Sequence, residues 1–363
     1  MTDQQALAAS RTERNAIVLI AVVVGAAALY WLRGILTPFA LAFFLLIMID
    51  GLERVIRDKV PRLPEWAPLT IAIGIIIVAF ATSVYVVAAN IASFASELSG
   101  YAPRLNEMIR DAALAVGFDT PPTLTELYRQ ANPTRYVGRV VQAVQSFTSD
   151  AVFVLIYLGF LLASRRGFRA KARALFGTRE ERKEAGRMFD RIRDGAQGYL
   201  WVQTVTGLLI AVVSWLIMLV LGLEHALFWA FFIFLTGYIP IVGPAIGSLL
   251  PPVFGLLQYD TYWQPIVLFV GLQAVNFFVG NVIYPRMQGR SLNLDPVVVL
   301  LALAFWSALW GLTGAFLSTP LTVVAMVLLA EFQGSRWVAI LLSANGHPET
   351  QIESGPAGHS KDG

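Results

Sequence analysis

The sequence contains no cysteine, so neither a disulfide framework nor thiol and zinc–thiolate chemistry is open to it. Charge is also scarce. Only 14% of the 363 residues are Asp, Glu, Lys or Arg, against about 25% in a soluble domain, which leaves too little polar surface to coat a globule. The three histidines are His225 in a short turn and His347 and His359 in a polar tail. None of the patterns HExxH, GxxxxGK[ST] or GxSxG occurs, so the usual sequence grounds for an enzyme are missing, and no cofactor or metal is called for. Basic residues sit in short stretches beside apolar runs rather than in a patch suited to nucleic acid.

Apolar length is what the chain has in quantity. Hydrophobic residues make up 56% of it and the mean hydropathy is +0.64. Crossing about 30 Å of hydrocarbon takes about 20 apolar residues as a helix. Ala16–Leu32, Gly34–Ile49, Leu69–Ala89, Gln197–Leu221, Ala226–Leu257, Pro265–Tyr284 and Pro296–Ala330 reach or approach that length. The fold class expected is therefore all-α, a polytopic transmembrane helical bundle in contact with the lipid bilayer. Only Arg33 separates the first two runs, which reads as a membrane hairpin rather than a cleaved leader.

Lys and Arg near span ends favour the cytoplasmic side. Arg11 and Arg14 precede the first run, Arg54, Arg57, Lys59 and Arg62 follow the second, and residues 165–193 hold eleven Lys or Arg. This pattern predicts cytoplasmic N- and C-termini. It also places residues 91–148, with five arginines balanced by five acidic groups, outside. Ala151–Ala163 is short for a span, about 20 Å as a helix, so the crossing must draw in 147–150. The divisions that follow are 1–15 (tail), 16–90 (three helices), 91–148 (extracytoplasmic helical segment), 149–164 (fourth helix), 165–196 (basic cytoplasmic loop), 197–331 (core) and 332–363 (cytoplasmic tail), with residues 345–363 expected to be unstructured.

The core is different in kind. Only six charged residues occur between Gly198 and Glu331: Glu224, Asp260, Arg286, Arg290, Asp295 and Glu331. Two of its apolar segments are too long for one crossing and are interrupted. The first contains Gly237, Pro240, Gly243, Pro244, Gly247, Pro251 and Pro252, and the second Gly311, Gly314 and Pro320. Each is either a pair of tilted spans or a re-entrant hairpin; charge favours the hairpin, because it leaves Arg286 and Arg290 inside. Irregular backbone at membrane depth survives where protein buries it or water lines it. Paired Gly/Pro-interrupted segments are the best sequence pointer to a transporter's binding site, although the same residues also serve as packing kinks.

Polar side chains between these segments are the next candidates. Gln203 lies in the preceding span with Thr204 and Thr206, and Gln273, Asn276 and Asn281 share one helix. Each suits either a polar solute or a hydrogen bond to a neighbouring helix. Asp150 and Asp295 are candidates for proton coupling, and Asp295 before Pro296 equally fits a helix N-cap. In the outer segment Ile91, Phe94, Leu98, Tyr101, Leu105, Met108, Ala112 and Ala115 follow a heptad-like seam, interrupted by Pro103. The seam fits self-association or packing on the chain itself.

The stretch Gly237-Tyr-Ile-Pro-Ile-Val-Gly-Pro-Ala-Ile-Gly-Ser-Leu-Leu-Pro251 resembles the signature of the autoinducer-2 exporter family, also called PerM-like permeases. The resemblance continues through Asn276–Pro296, Leu309–Pro320 and Arg336–Ser343, and upstream through Tyr199–Gly207 with Gln203. It implies a bacterial inner-membrane transporter, homo-oligomeric, exporting a small molecule such as an autoinducer-2-like signal; other family members are linked to cation/proton exchange. Three functions are therefore carried forward: an exporter of a small solute, a cation/proton exchanger or channel-like permease on the same scaffold, and a membrane scaffold assembling partners through 91–148.

Overall fold

The computed structural model describes residues 20–97, 150–165, 178–288, 293–332 and 334–347, with residue 167 and scattered positions from 101 to 114. Helices account for nearly all of it: α1 (Ile20–Trp31), α2 (Arg33–Lys59), α3 (Ala67–Glu97), α4 (150–165), α5 (Arg179–Leu221), α6 (Ala226–Gly237), α7 (Val242–Gln258), α8 (Trp263–Phe278), α9 (Tyr284–Gln288), α10 (Pro296–Glu331) and α11 (Arg336–Leu342). A π-helical turn, Val279–Ile283, joins α8 to α9. Five helices among the described residues are long and apolar enough to cross a membrane: Arg33–Lys59, Ala67–Val86, Arg179–Leu221, Trp263–Met287 and Pro296–Glu331. Large apolar side chains such as Val78, Phe160, Val220 and Leu227 are exposed on the outside of the bundle. That is the arrangement a lipid solvent permits and water does not. The chain is a multi-pass membrane protein.

The ends of α5 follow from local chemistry. Thr178 and Glu181 form a reciprocal capping box, each side chain taking the other's backbone N–H at 3.2 Å. At the far end Gly222 takes a left-handed conformation (φ 75°) and its N–H satisfies Leu219 and Met218 carbonyls. Between them α5 runs the full depth of the molecule and packs against α2, α6, α8 and α10. One core cluster joins α2, α3 and α4 through Ile49, Ala72, Val154 and Leu158. A second joins α5, α6, α7 and α8 around Met218, Trp229, Phe254 and Leu272. A third, around Phe44, Tyr199, Tyr238 and Leu317, ties α2 and α5 to both interrupted segments.

Ion pairs identify one end of the bundle. Arg165 of α4 bridges Asp50 (3.0 Å) and Glu53 (2.7 Å) of α2, and Arg191 pairs with Glu331 at the end of α10. At the opposite end the base of the α6–α7 pair is closed by Gln258, which donates to Gly222 O (2.9 Å) and accepts from Glu224 N (2.8 Å).

Both interrupted segments are antiparallel hairpins. In the first, α6 leads to a break at Tyr238–Ile241 and α7 returns alongside it, Trp229 meeting Phe254 with ring centroids 5.5 Å apart. In the second, α10 contains a non-helical residue, Gly311 (φ 62°, ψ −140°). Trp306 Nε1 donates to Thr322 Oγ1 at 3.1 Å, whereas in an unbroken helix 16 residues would separate the two by about 24 Å. The chain therefore reverses at Gly311. The first hairpin opens at the end of the bundle where α5 finishes. The second opens at the basic end, held there by Arg191–Glu331 and by pairing of Asn293–Asp295 with Leu342–Ala344. The core is thus a helix followed by a hairpin, repeated with inverted direction: α5 with the first, α8 with the second.

The structure narrows several expectations. Pro251 and Pro252 lie inside α7 and Pro320 inside α10 without ending either helix. Asn293 holds Asn345 Oδ1 (2.7 Å) and His347 O (2.8 Å), so residues 345–347 are structured. Half of the heptad-like seam, Leu98, Leu105, Ala112 and Ala115, lies outside the described residues. Tyr101 packs on its own chain, its ring edge on Phe254 (5.5 Å) and its hydroxyl donating to Glu224 at 2.6 Å.

Candidate functional site

A helix break leaves backbone carbonyls without intrahelical partners, and their satisfaction shows where a tip is anchored. At the first tip Ile239 N donates to Thr236 O (2.8 Å), Val242 N to Pro240 O (2.6 Å) and Gly243 N to Ile239 O (3.0 Å). The turn carries Ile241 at φ 65°, a conformation a β-branched residue rarely adopts. Two further carbonyls are satisfied from α5: Gln203 Nε2 donates to Gly237 O, and the Tyr199 hydroxyl donates to Tyr238 O at 3.3 Å. Thr204 Oγ1 lies 2.7 Å from the Tyr238 hydroxyl and donates its own proton to Leu200 O at 2.6 Å, so Tyr238 is the donor in that pair. From Gln203 to the end of α5 at Leu221 is about 27 Å of helix. The first hairpin therefore reaches deep into the bundle.

The second hairpin meets the first here. Phe316 stacks on Tyr238 with centroids 4.7 Å apart and planes 26° from parallel, Leu317 is fully buried among α2 and α5 side chains, and Thr319 lies beside the Tyr199 hydroxyl. Its tip is tethered separately, by Trp310 Nε1 donating to Leu29 O of α1 at 3.1 Å. Tyr199, Thr204, Tyr238 and Phe316 thus form one junction, hydroxyl-rich and aromatic. The acidic residues of the core that the structure describes lie at the open ends of the hairpins, Glu224 and Asp260 at the first, Asp295 and Glu331 at the second, while Arg286 is on α9, which packs against α5.

The candidates named from sequence divide. Gln203 and Gly237 come into direct contact. Gly243 and Gly247 are where α7 crosses α6: a β-carbon built on Gly243 would lie 2.6 Å from the Thr236 carbonyl carbon, and one on Gly247 would lie 2.6 Å from Thr236 Oγ1. Gly311 makes the second turn, and a β-carbon on Gly314 would lie 2.6 Å from the Trp306 carbonyl carbon. Pro240 sits in the first turn; Pro244 follows it, its carbonyl accepting from Ser248 at 2.7 Å. Gln273 Oε1 lies 3.0 Å from Ser248 Oγ, a contact between α8 and α7. Asn276 and Asn281 donate to their own helix, at Leu272 O (3.1 Å) and Phe277 O (2.8 Å). Asn281 lies within the π turn, a feature frequent at functional sites and without a composition signature. Asp295 caps α10, accepting from Val297 N at 2.7 Å, with Pro296 at the first helical position. Asp150, the first described residue of α4, is half-buried. Nothing in the sequence marks Tyr238 and Phe316 as partners; aromatics are so frequent in this chain that neither stands out.

The open end of the first hairpin is clasped from outside. Besides the Tyr101–Glu224 bond, Arg104 donates to the carbonyls of Tyr259 (3.4 Å) and Asp260 (3.1 Å) and lies over the Tyr262 ring. Tyr259 donates to Leu221 O at 3.0 Å; burial, and then the nearby Glu224 carboxylate, push its hydroxyl above its ordinary pKa. Arg104→Ala removes a charged donor to two carbonyls, a loss of about 1–2 kcal/mol. Hydrogen exchange should rise at residues 222–225 and 258–262 and stay unchanged in α10.

The sequence pattern described as the AI-2E family transporter matches residues 19–334. A putative transport protein of Haemophilus influenzae is 27% identical over 336 residues, 91% of this chain and 96% of that protein. The AI-2 transport protein TqsA of Escherichia coli is 25% identical over 318 residues, 85% of this chain and 89% of that protein. The putative transport protein YhhT of Escherichia coli is 27% identical over 342 residues, covering 92% and 95% respectively. With opposed hairpins meeting inside an apolar helical bundle, and a family match running through every one of these elements, the chain belongs to the AI-2E family of transporters.

Proposed function

We propose that this protein is a secondary transporter of the bacterial inner membrane that exports a small polar solute through the junction of the two hairpin tips. The carrying observation is that two hairpins opening at opposite ends of the bundle meet at Tyr238 and Phe316, over Tyr199 and Thr204 of α5. Each hairpin is re-entrant in this reading, and the stacked pair between them separates without breaking a hydrogen bond. A charge-free, hydroxyl-bearing junction supports an uncharged polar solute over a cation, because a cation there would lack a counter-charge. The relative named for AI-2 transport supports an autoinducer-2-like molecule. Purified protein in liposomes should move autoinducer-2 and should not move Na⁺ or K⁺ against a pH gradient. Cation-coupled proton flux without solute flux would replace this reading with the exchanger. If deletion of residues 98–149, rather than Tyr238→Ala, abolished function, the scaffold reading would replace it.

The orientation follows from charge, with the basic end cytoplasmic. Asp260 and Gln288 then lie on opposite sides, at the start and the end of the α8–α9 crossing. Because the chain has no native cysteine, Asp260→Cys should react with an impermeant maleimide in intact cells and Gln288→Cys only after permeabilisation. Labelling of Gln288→Cys from outside would invert the assignment.

A further inference from the structure

Where α2 and α5 diverge at the basic end they leave a crevice of about 250 Å³, lined by Arg54 and Val55 of α2 and Asp194, Gln197, Gly198 and Trp201 of α5. Neither hairpin contributes to it. It straddles the point where α5 changes character: Asp194 belongs to the charged stretch, and from Gly198 the helix carries no charge as far as its end at Leu221. Trp201, one turn into the apolar part, is exposed, as an interfacial aromatic would be. The crevice therefore sits at the level where lipid headgroups meet hydrocarbon.

Its polar groups are complementary and unspent. Arg54 is exposed and, among the described residues, forms no ion pair. Asp194 receives Arg193 Nε on Oδ1 at 3.1 Å, and its other oxygen has no partner among the described residues. Gln197 is held against Gly51, where a β-carbon would lie 2.8 Å from its amide carbon; its Oε1 is shielded from solvent and accepts no hydrogen bond. A cation and a carboxylate oxygen share one opening, and an idle acceptor is carried by a side chain that lines it. A buried acceptor left unpaired is costly, so a donor ligand there gains more than its bond alone.

We infer that this crevice binds the headgroup of a phospholipid bearing both a phosphate and a primary ammonium, as phosphatidylethanolamine does. The Arg54 guanidinium takes the phosphate. The ammonium donates to Asp194, and to Gln197 Oε1 once that side chain turns into the opening. Trp201 and Val55 face the glycerol and upper acyl chains. A headgroup with phosphate alone leaves Asp194 facing an anion, and a trimethylated ammonium has no N–H for Gln197.

The test is native mass spectrometry of the purified full chain, titrated with phosphatidylethanolamine, phosphatidylcholine, phosphatidylglycerol or soluble phosphoethanolamine. Phosphatidylethanolamine should bind about tenfold tighter than either other lipid, as expected for one charge-assisted hydrogen bond. Arg54→Gln should weaken it about tenfold, and Asp194→Asn should reduce it to the phosphatidylcholine level. Arg62→Gln, at the same end but outside the crevice, should leave it unchanged. Equal binding of the three lipids overturns the inference, as does a loss from Arg62→Gln equal to that from Arg54→Gln. So does soluble phosphoethanolamine that competes as well as the lipid, which would make the ligand a free anion rather than bilayer lipid.

Discussion

Replacing Gly243 with alanine should abolish transport and most of the folded protein, while Gly74→Ala leaves both near wild type. Helix propensity alone predicts the reverse, since alanine in place of glycine in a helix gains about 1 kcal/mol. At Gly74 nothing lies within 4 Å of an added β-carbon and that gain is available. At Gly243 the added carbon falls 2.6 Å from the Thr236 carbonyl carbon and closer still to its oxygen. This obstacle is backbone, and its oxygen already accepts from Ile239 N at 2.8 Å, so no rotamer can relieve it. The arms of the first hairpin would have to move apart, at a cost of about 3 kcal/mol or more, and the Tyr238 contacts with Thr204 and Phe316 would go with them. Gly247 provides the internal comparison. Its β-carbon meets Thr236 Oγ1 at 2.6 Å and Ile233 Cα at 3.3 Å, so the worst clash is with a side chain. Thr236→Ala should therefore restore much of the activity lost in Gly247→Ala and none of that lost in Gly243→Ala. Melting temperatures and liposome transport of the solute proposed above read both effects. Rescue of both variants by Thr236→Ala would show that the Gly243 contact is not backbone-limited.

That contrast marks how far the sequence could be read. The spans were legible because about 20 apolar residues have few other uses, and the two interruptions because Gly and Pro accumulate in segments too long for one crossing. What each Gly or Pro does was not legible. Of the seven in the first segment, Gly237 ends α6, Pro240 sits in the turn, Gly243 and Gly247 mark the crossing of the arms, Pro244 lies in the first turn of α7, and Pro251 and Pro252 belong to an unbroken stretch of it. Proline removes one N–H from a helix without necessarily ending it. In the second segment the reversal falls on Gly311, while Pro320 is carried inside the returning arm. Ile241 at φ 65° could not have been foreseen, since its residue type argues against that conformation.

The junction was partly legible for a different reason. Gln203 drew notice as an amide within an apolar span, and such a group needs a partner; the structure supplies Gly237 O. Asn276 and Asn281 drew the same notice, yet each finds its partner on its own helix. A polar side chain four residues from a carbonyl always has that option, and sequence does not say which it takes. Tyr238 and Phe316 are 78 residues apart in number and adjacent in space only because the hairpins enter from opposite ends. Their pairing depends on the inverted order of helix and hairpin, which lives in topology rather than in any local pattern.

The second hairpin should fail as the first does, through Gly311 and Gly314. At φ 62°, ψ −140°, Gly311 occupies a region that L-residues avoid, so alanine costs about 1–3 kcal/mol there. At Gly314 a β-carbon would lie 2.6 Å from the Trp306 carbonyl carbon and 3.0 Å from Trp310 Cβ. Both glycines serve one turn, so the double variant should lose less than the sum of the single losses. The cysteine-free chain permits a direct test of the turn itself. Trp306→Cys and Thr322→Cys, introduced together, replace side chains that now share a hydrogen bond, and a short bismaleimide should link them efficiently. Adding Gly314→Ala should cut the yield sharply, because the arms can no longer close on each other. In an unbroken α10 the two positions would stand about 24 Å apart, beyond the reagent's reach. A pair that never links in the otherwise wild-type background would therefore mean a straight helix, and the meeting of Phe316 with Tyr238 would be lost with it.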